Sequence, residues 1–185
     1  VLITAFDLNP ESMCWKPIVY TNLNGKHNTS DVSIVDAAMA SSACPILLPI
    51  YNDKCDGGVW ARNPSMAGLA AACDERMEGV SVSDCVVLSI GTGRDCYKIH
   101  TSTGNFGLVP WILNGIVNLL FSANIDAAGY YVQSMIGERY HRLDLDLGVL
   151  ETKSVDDAST VKDLIAMADT VDIGPTVKWI KENWL

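Results

Sequence analysis

Cys85-Val86-Val87-Leu88-Ser89-Ile90-Gly91-Thr92-Gly93 is the stretch on which the fold class turns. Apolar side chains occupy both alternating faces of residues 85–90 apart from Ser89. That is the pattern of a strand covered on both sides by helices, as in a parallel sheet. Before it, Asn63-Pro64 reads as a helix start, because Asn caps well and Pro suits the first turn. Met66, Leu69, Ala70, Cys73 and Met77 then share one helical face, and Gly79 closes the helix.

Outward from this centre the same alternation repeats. Val1 to Phe6 reads as an apolar strand, Pro17 to Thr21 as a second, and Asn22 to Ser30 as a polar loop. From Asp31 the pattern is helical, with Val35 and Met39 four apart, until Pro45 stops it. Ile46 to Tyr51 is extended and apolar, and leads to Asp56-Gly57-Gly58. Beyond Gly93 follow a helical region over roughly Pro110 to Ile136 and an alternating strand from Tyr140 to Leu147. Val161, Leu164, Ile165 and Ala168 stripe a further helix, and Val177, Ile180 and Trp184 a last one. Strands alternating with helices predict an α/β domain, a three-layer α/β/α sandwich with a mainly parallel central sheet. The chain has 185 residues, enough for one domain with a proper core. It opens on an apolar strand with no initiator Met, which leads us to expect the C-terminal part of one longer domain.

With 22 acidic against 13 basic residues the net charge is −9, and the basic residues form no stripe. Nucleic acid is therefore set aside as a partner, and so is adsorption to an anionic membrane by charge alone. Six cysteines, at 14, 44, 55, 73, 85 and 96, include no C-x-x-C pair and no histidine at zinc spacing. Free thiols in a reducing, cytoplasmic compartment are the expectation, consistent with an opening that has no charged leader. The uncharged stretch from Ile99 to Ile125 contains Gly, Asn, Ser, Thr and Pro, and is read as a buried or lid-like helix with an interfacial role open to Trp111 and Phe121.

In open α/β sheets, ligands sit at the carboxyl ends of strands. Two loops hold that position here, Asp56-Gly57-Gly58 and Gly91-Thr92-Gly93. Alone, Asp-Gly is first of all a favoured turn. Its functional reading is a fixed carboxylate that accepts a proton from an attacking hydroxyl, with Gly57 and Gly58 supplying unusual backbone angles and close approach. An ordinary aspartate titrates at about 3.9, so at neutral pH it is ready as a base. Gly91-Thr92-Gly93 lacks the third glycine of a dinucleotide loop and the lysine of a phosphate loop, and reads as a strand-end turn. Ser89 lies within a strand rather than at an elbow, which disqualifies it as a nucleophile. His27 and His100 fall in polar loops and His141 in a strand, places where histidine is usually surface or structural. The chain contains no G-x-S-x-G.

Taken together, several segments resemble the second half of patatin-like phospholipases. They are Ile3-Thr4-Ala5-Phe6-Asp7-Leu8 with Pro17-Ile18-Val19-Tyr20, Ala37-Ala38-Met39-Ala40-Ser41-Ser42-Ala43-Cys44-Pro45 with Leu48-Pro49, Asp56-Gly57-Gly58-Val59 with Asn63-Pro64, and Leu88-Ser89-Ile90-Gly91-Thr92-Gly93. Their order and spacing cover residues 1 to about 110, and the likeness fades from Trp111 onward. The resemblance implies a lipid acyl hydrolase with a Ser–Asp dyad, in which Asp56 is the catalytic base and Gly57 and Gly58 support it. The serine and a glycine-rich oxyanion loop would precede Val1, so this chain alone is expected to be inactive. The implied chemistry needs no cofactor and no metal. Its substrate is a phospholipid or other lipid ester, met in transient contact with a membrane surface. The competing readings are a catalytically silent patatin-like protein that binds lipid or partner proteins or serves as storage, and, more weakly, a nucleotide-binding domain using Gly91 to Gly93.

Overall fold

Leu2–Asp7 forms β1, and Lys16–Thr21 forms β2 antiparallel to it, with Leu2 opposite Thr21 and Asp7 opposite Lys16. This computed structural model describes residues 1–9, 11, 14–25, 28–94, 99, 107–147 and 157–184. The other edge of β1 pairs with a short strand, β3 (Lys54–Asp56), again antiparallel, which sets Asp56 opposite Ala5. Thr4 and Ala5 in the middle of β1 are buried. The mainly parallel sheet expected from the sequence is not what these three strands form. Residues 8–15 between β1 and β2 are too few for the crossover that parallel neighbours require. A parallel register does occur between Arg94 and Asp146.

The helix that covers β1 is α1 (Ile34–Ser42). It starts at Ser33 as N-cap: Asp36 N donates to Ser33 Oγ at 3.0 Å, while the Ser33 hydroxyl donates to the Asp36 carboxylate. Its buried residues are Ala37 and Ala40, whereas Val35 and Met39 are exposed. The small methyl groups let the helix lie close to the strand. Ile46 to Tyr51, read above as extended, is instead a loop folded back on α1. Leu47 N and Leu48 N both donate to Cys44 O, and Tyr51 OH donates to Asp36 Oδ1 at 2.6 Å. Tyr51 and Lys54 then exchange both backbone hydrogen bonds around Asn52 and Asp53, whose φ angles are 46° and 59°. Prolines at 45 and 49 cannot donate to a ladder, and Asn-Asp tolerates the left-handed region, so the chain turns rather than extends.

After β3 come the short α2 (Gly58–Ala61) and α3 (Ser65–Cys73). α3 ends at Asp74 instead of running on to Gly79. The Asp74 side chain accepts from Arg76 N at 2.9 Å and pairs with the Arg76 guanidinium, which makes a turn of residues that would have been helical. Met66, Leu69 and Cys73 do face the core, as their spacing predicts, while Ala70 is exposed. The expected helix over Pro110 to Ile136 is two, α4 (Leu108–Leu113) and α5 (Ile116–Ile136), separated at Gly115, whose φ is 76°.

The chain divides into two compact units, Val1–Val87 with Asn124–Tyr140, and Leu88–Ala123 with His141–Leu185. In the first, Leu69, Cys85, Val132 and Ile136 form the core, packed by Met66, Cys73, Val87 and Tyr140. Asn63, 1% exposed, joins three segments of this unit. Its Oδ1 accepts from the Ser65 hydroxyl at 2.6 Å and from Ser65 N, while Nδ2 points at Ile125 O and Tyr140 OH, each 3.4 Å away. Asn63→Ala should therefore cost about 2 kcal/mol, the usual penalty for stranding buried polar partners. Urea unfolding checks it, and an unchanged midpoint would contradict the role.

The second unit contains most of β4 (Val87–Ile90) and β5 (Tyr140–Leu143), hydrogen-bonded to each other, and the helices α6 (Val161–Asp169) and α7 (Gly174–Asn183). Two expectations change here. β5 ends at Leu143 rather than Leu147. In β4 the polar Ser89 is buried and the apolar Ile90 is 68% exposed, the reverse of a strand covered on both faces. Arg142 Nη1 donates to Ser89 Oγ at 2.7 Å, so the hydroxyl is satisfied where it lies and its burial carries little cost. The stripe of α6 is also exposed at Val161, Leu164 and Ile165. Among the described residues no helix is long and apolar enough to cross a membrane.

Candidate active site

Asp56 is the last residue of β3, and the following backbone turns directly into α2. The simple hairpin turn that Asp-Gly suggests is therefore absent at this position. Two hydrogen bonds clamp the strand end to the C-terminus of α1: Asp56 N donates to Ala43 O at 3.0 Å, and Gly57 N to Ser41 O at 3.3 Å. The Asp56 carboxylate curls back over its own turn, with Oδ1 accepting from Gly58 N at 2.8 Å. Its side chain is thus oriented by the backbone next to it, on a strand end held from two sides. The small residues of Ala37 to Ala43 make this possible, since they bring α1 close enough for its terminal carbonyls to meet residues 56 and 57.

Both glycines of the motif are explained by crowding rather than by unusual angles. Gly57 has an ordinary right-handed backbone, φ −59° and ψ −26°. A Cβ there would fall 2.2 Å from both the carbonyl oxygen and the hydroxyl of Thr4. A Cβ on Gly58 would lie 3.2 Å from Asp56 Oδ2, within the space that the carboxylate uses. Close approach, one of the two reasons read from the sequence, is the one that applies.

Two thiols and an indole also belong to this neighbourhood. Burial, and then the adjacent Asp56 carboxylate, push the Cys44 thiol above its ordinary range, and the same two causes raise Cys55. Both thiols are therefore neutral at physiological pH. The signal for Cys44 is its place at the end of the alanine-rich helix. The indole is that of Trp60 in α2, whose Nε1 donates to Ala5 O at 2.9 Å and fastens the short helix to β1. Asn124 reinforces that turn: its Nδ2 donates to Trp60 O and its Oδ1 accepts from Arg62 N.

A cavity of about 360 Å³ opens toward the Val1 end of β1, between Ile3, Tyr20, Thr29, Val32, Ile34 and Ala37. Asp56 is not part of its lining.

The second glycine loop is structural. Gly93 N donates to Asp144 Oδ1 at 3.1 Å, Gly91 N to Leu143 O and Arg94 N to Leu145 O. A Cβ on Gly91 would lie 2.2 Å from Asp144 Oδ1, and the Asp144 carboxylate is itself paired with Arg142. Amides that would have to hold a phosphate are occupied, which weighs against a nucleotide site. Ser89 faces a guanidinium rather than a base, as a buried structural hydroxyl would. His141 shares a hydrogen bond with Thr176 at 2.9 Å and stacks on Trp179 with ring centres 5.2 Å apart, a packing role. His27 and His100 lie outside the described residues.

The chain is 26% identical over 210 aligned positions to CotR of Bacillus subtilis, provisionally named a sporulation hydrolase, covering 100% of this chain and 64% of that protein. Protein teg of Priestia megaterium is 27% identical with the same coverage. Patatin-like protein 4 of Arabidopsis thaliana is 25% identical over 87% of this chain and 48% of its own length. These relatives support a patatin-like family for the chain, and a hydrolase family more broadly. The chain spans about half to two thirds of the length of the curated relatives it matches. No family model matches it, and neither does any solved structure.

Proposed function

We propose that this chain supplies the aspartate base of a lipid acyl hydrolase that works through a Ser–Asp dyad. The observation that carries the reading is the Asp56 carboxylate, set at a strand end with its backbone clamped to α1 and one oxygen fixed by Gly58 N. A base positioned in this way is prepared before substrate arrives, which is what general-base catalysis requires. The likeness to patatin-like proteins supplies the substrate class, a phospholipid or related ester.

In the proposed reaction a serine hydroxyl, in sequence outside this chain, attacks the ester carbonyl as Asp56 takes its proton. Asp56 hands that proton to the departing alcohol, leaving an acyl-enzyme; the restored carboxylate then takes a proton from water, which attacks the acyl carbon, and returns it to the serine oxygen as the fatty acid leaves. Backbone amides of a loop also outside this chain would hold the oxyanion. In this reading the chain is the C-terminal part of one three-layer α/β/α domain, to which β1, β2 and β3 contribute antiparallel neighbours. It acts in the cytoplasm with transient contact at membrane surfaces, and by itself it hydrolyses nothing.

A fluorophosphonate, which forms a stable bond only to an activated serine, tests the dyad. The full-length natural protein should be labelled at one serine in a G-x-S-x-G outside residues 1–185, and label should fall at least tenfold when lipid ester competes. A full-length protein that takes no label is a silent relative, and the dyad reading fails.

A further inference from the structure

Cys73 and Cys85 bring their sulfurs to 3.7 Å within the core of the first unit. Cys73 closes α3 and is partly exposed, whereas Cys85 is buried where the chain enters β4. Both touch the same cluster around Leu69, Val132 and Ile136. Cys85 is further held by Arg139, whose Nη1 donates to its carbonyl at 2.8 Å, and by its own thiol, which donates to Ser81 O. We propose that Cys73 and Cys85 are a disulfide modification site, closed by thiol–disulfide exchange with a small-molecule disulfide. The site is independent of the proposed catalytic role of Asp56.

The order of events follows from access. The Cys73 thiolate, reachable from solvent, attacks one sulfur of glutathione disulfide, forming a mixed disulfide and releasing one glutathione thiolate. Cys85, already in contact, then loses its proton to solvent and attacks Cys73 Sγ, expelling the second glutathione. Two protein thiols are oxidised, one small disulfide is reduced to two thiols, and atoms and electrons balance. Burial, followed by the neighbouring Cys73, raises the pKa of Cys85, which protects it from direct attack and leaves Cys73 as the entry point. The product closes residues 73–85 into a loop and fixes the end of α3 to the start of β4. That removes freedom mainly from the unfolded chain.

Purified reduced protein is incubated with glutathione disulfide, quenched with N-ethylmaleimide and digested without reductant for mass spectrometry. The expected product is a Cys73–Cys85 linked peptide two hydrogens lighter than its reduced parts. Thermal unfolding should rise by about 5 °C or more on oxidation, as closure of such a loop implies. Cys85→Ala should retain glutathione on Cys73, and Cys73→Ser, at a partly exposed position, should lose both the link and the thermal shift. Finding exposed Cys14 carrying glutathione while no 73–85 link forms would overturn the proposal. So would a thermal shift that persists in Cys73→Ser.

Discussion

Asp56→Asn, made in the full-length protein, is expected to lower ester hydrolysis by about 10²-fold or more, the scale of a lost general base. The substitution is informative because the fold has little reason to change. The amide oxygen of asparagine still accepts from Gly58 N, and the backbone bonds to Ala43 and Ser41 do not involve the side chain. What disappears is the ability to take a proton at neutral pH, since an amide is not a base in that range. Substrate affinity should be nearly unchanged, so the loss falls on kcat rather than KM. The unfolding midpoint should stay close to that of the parent. A variant that folds normally and turns over at the parental rate would remove Asp56 from the mechanism.

The second large effect concerns folding. Gly57→Ala should destabilise the first unit by about 2–3 kcal/mol, at the upper end of overpacking costs. The methyl group would enter the space of the Thr4 carbonyl, 2.2 Å from its oxygen and 2.6 Å from its carbon. Those atoms belong to the central strand, so neither a rotamer change nor trimming of Thr4 relieves the clash. Thr4→Ala added to Gly57→Ala should restore little. Gly58→Ala is the contrast: its nearest neighbours are the carboxylate atoms of Asp56 at 3.2 to 3.4 Å, which can rotate away. It should therefore spare stability and disturb activity. Thermal unfolding of the three variants distinguishes these outcomes, and a Gly57→Ala protein as stable as the parent would refute the packing argument.

Both effects trace back to a motif that is legible in the sequence, though for partly different reasons than the sequence suggests. Asp-Gly-Gly invites a reading in left-handed angles, but the backbone at Gly57 is right-handed and the glycine is there for Thr4. In α1 the periodicity of Val35 and Met39 finds the helix and misses its inner face, which alanines form. Ile46 to Tyr51 looks like a strand because its residues are apolar. Hydrogen bonds to Cys44 O and from Tyr51 to Asp36 make it a loop.

Local chemistry determines that β1, β2, α1 and the start of α3 form, and that Pro45 stops the helix before it. Periodicity, caps and turn residues act over a few positions, so they can be read in one dimension. Tertiary structure decided the rest. It set strands β1, β2 and β3 antiparallel, buried Ser89 against Arg142, and brought Cys73 within reach of Cys85. Each of these depends on which partners arrive from distant sequence, and a partner's distance along the chain leaves no trace in the spacing of the residues that will meet it.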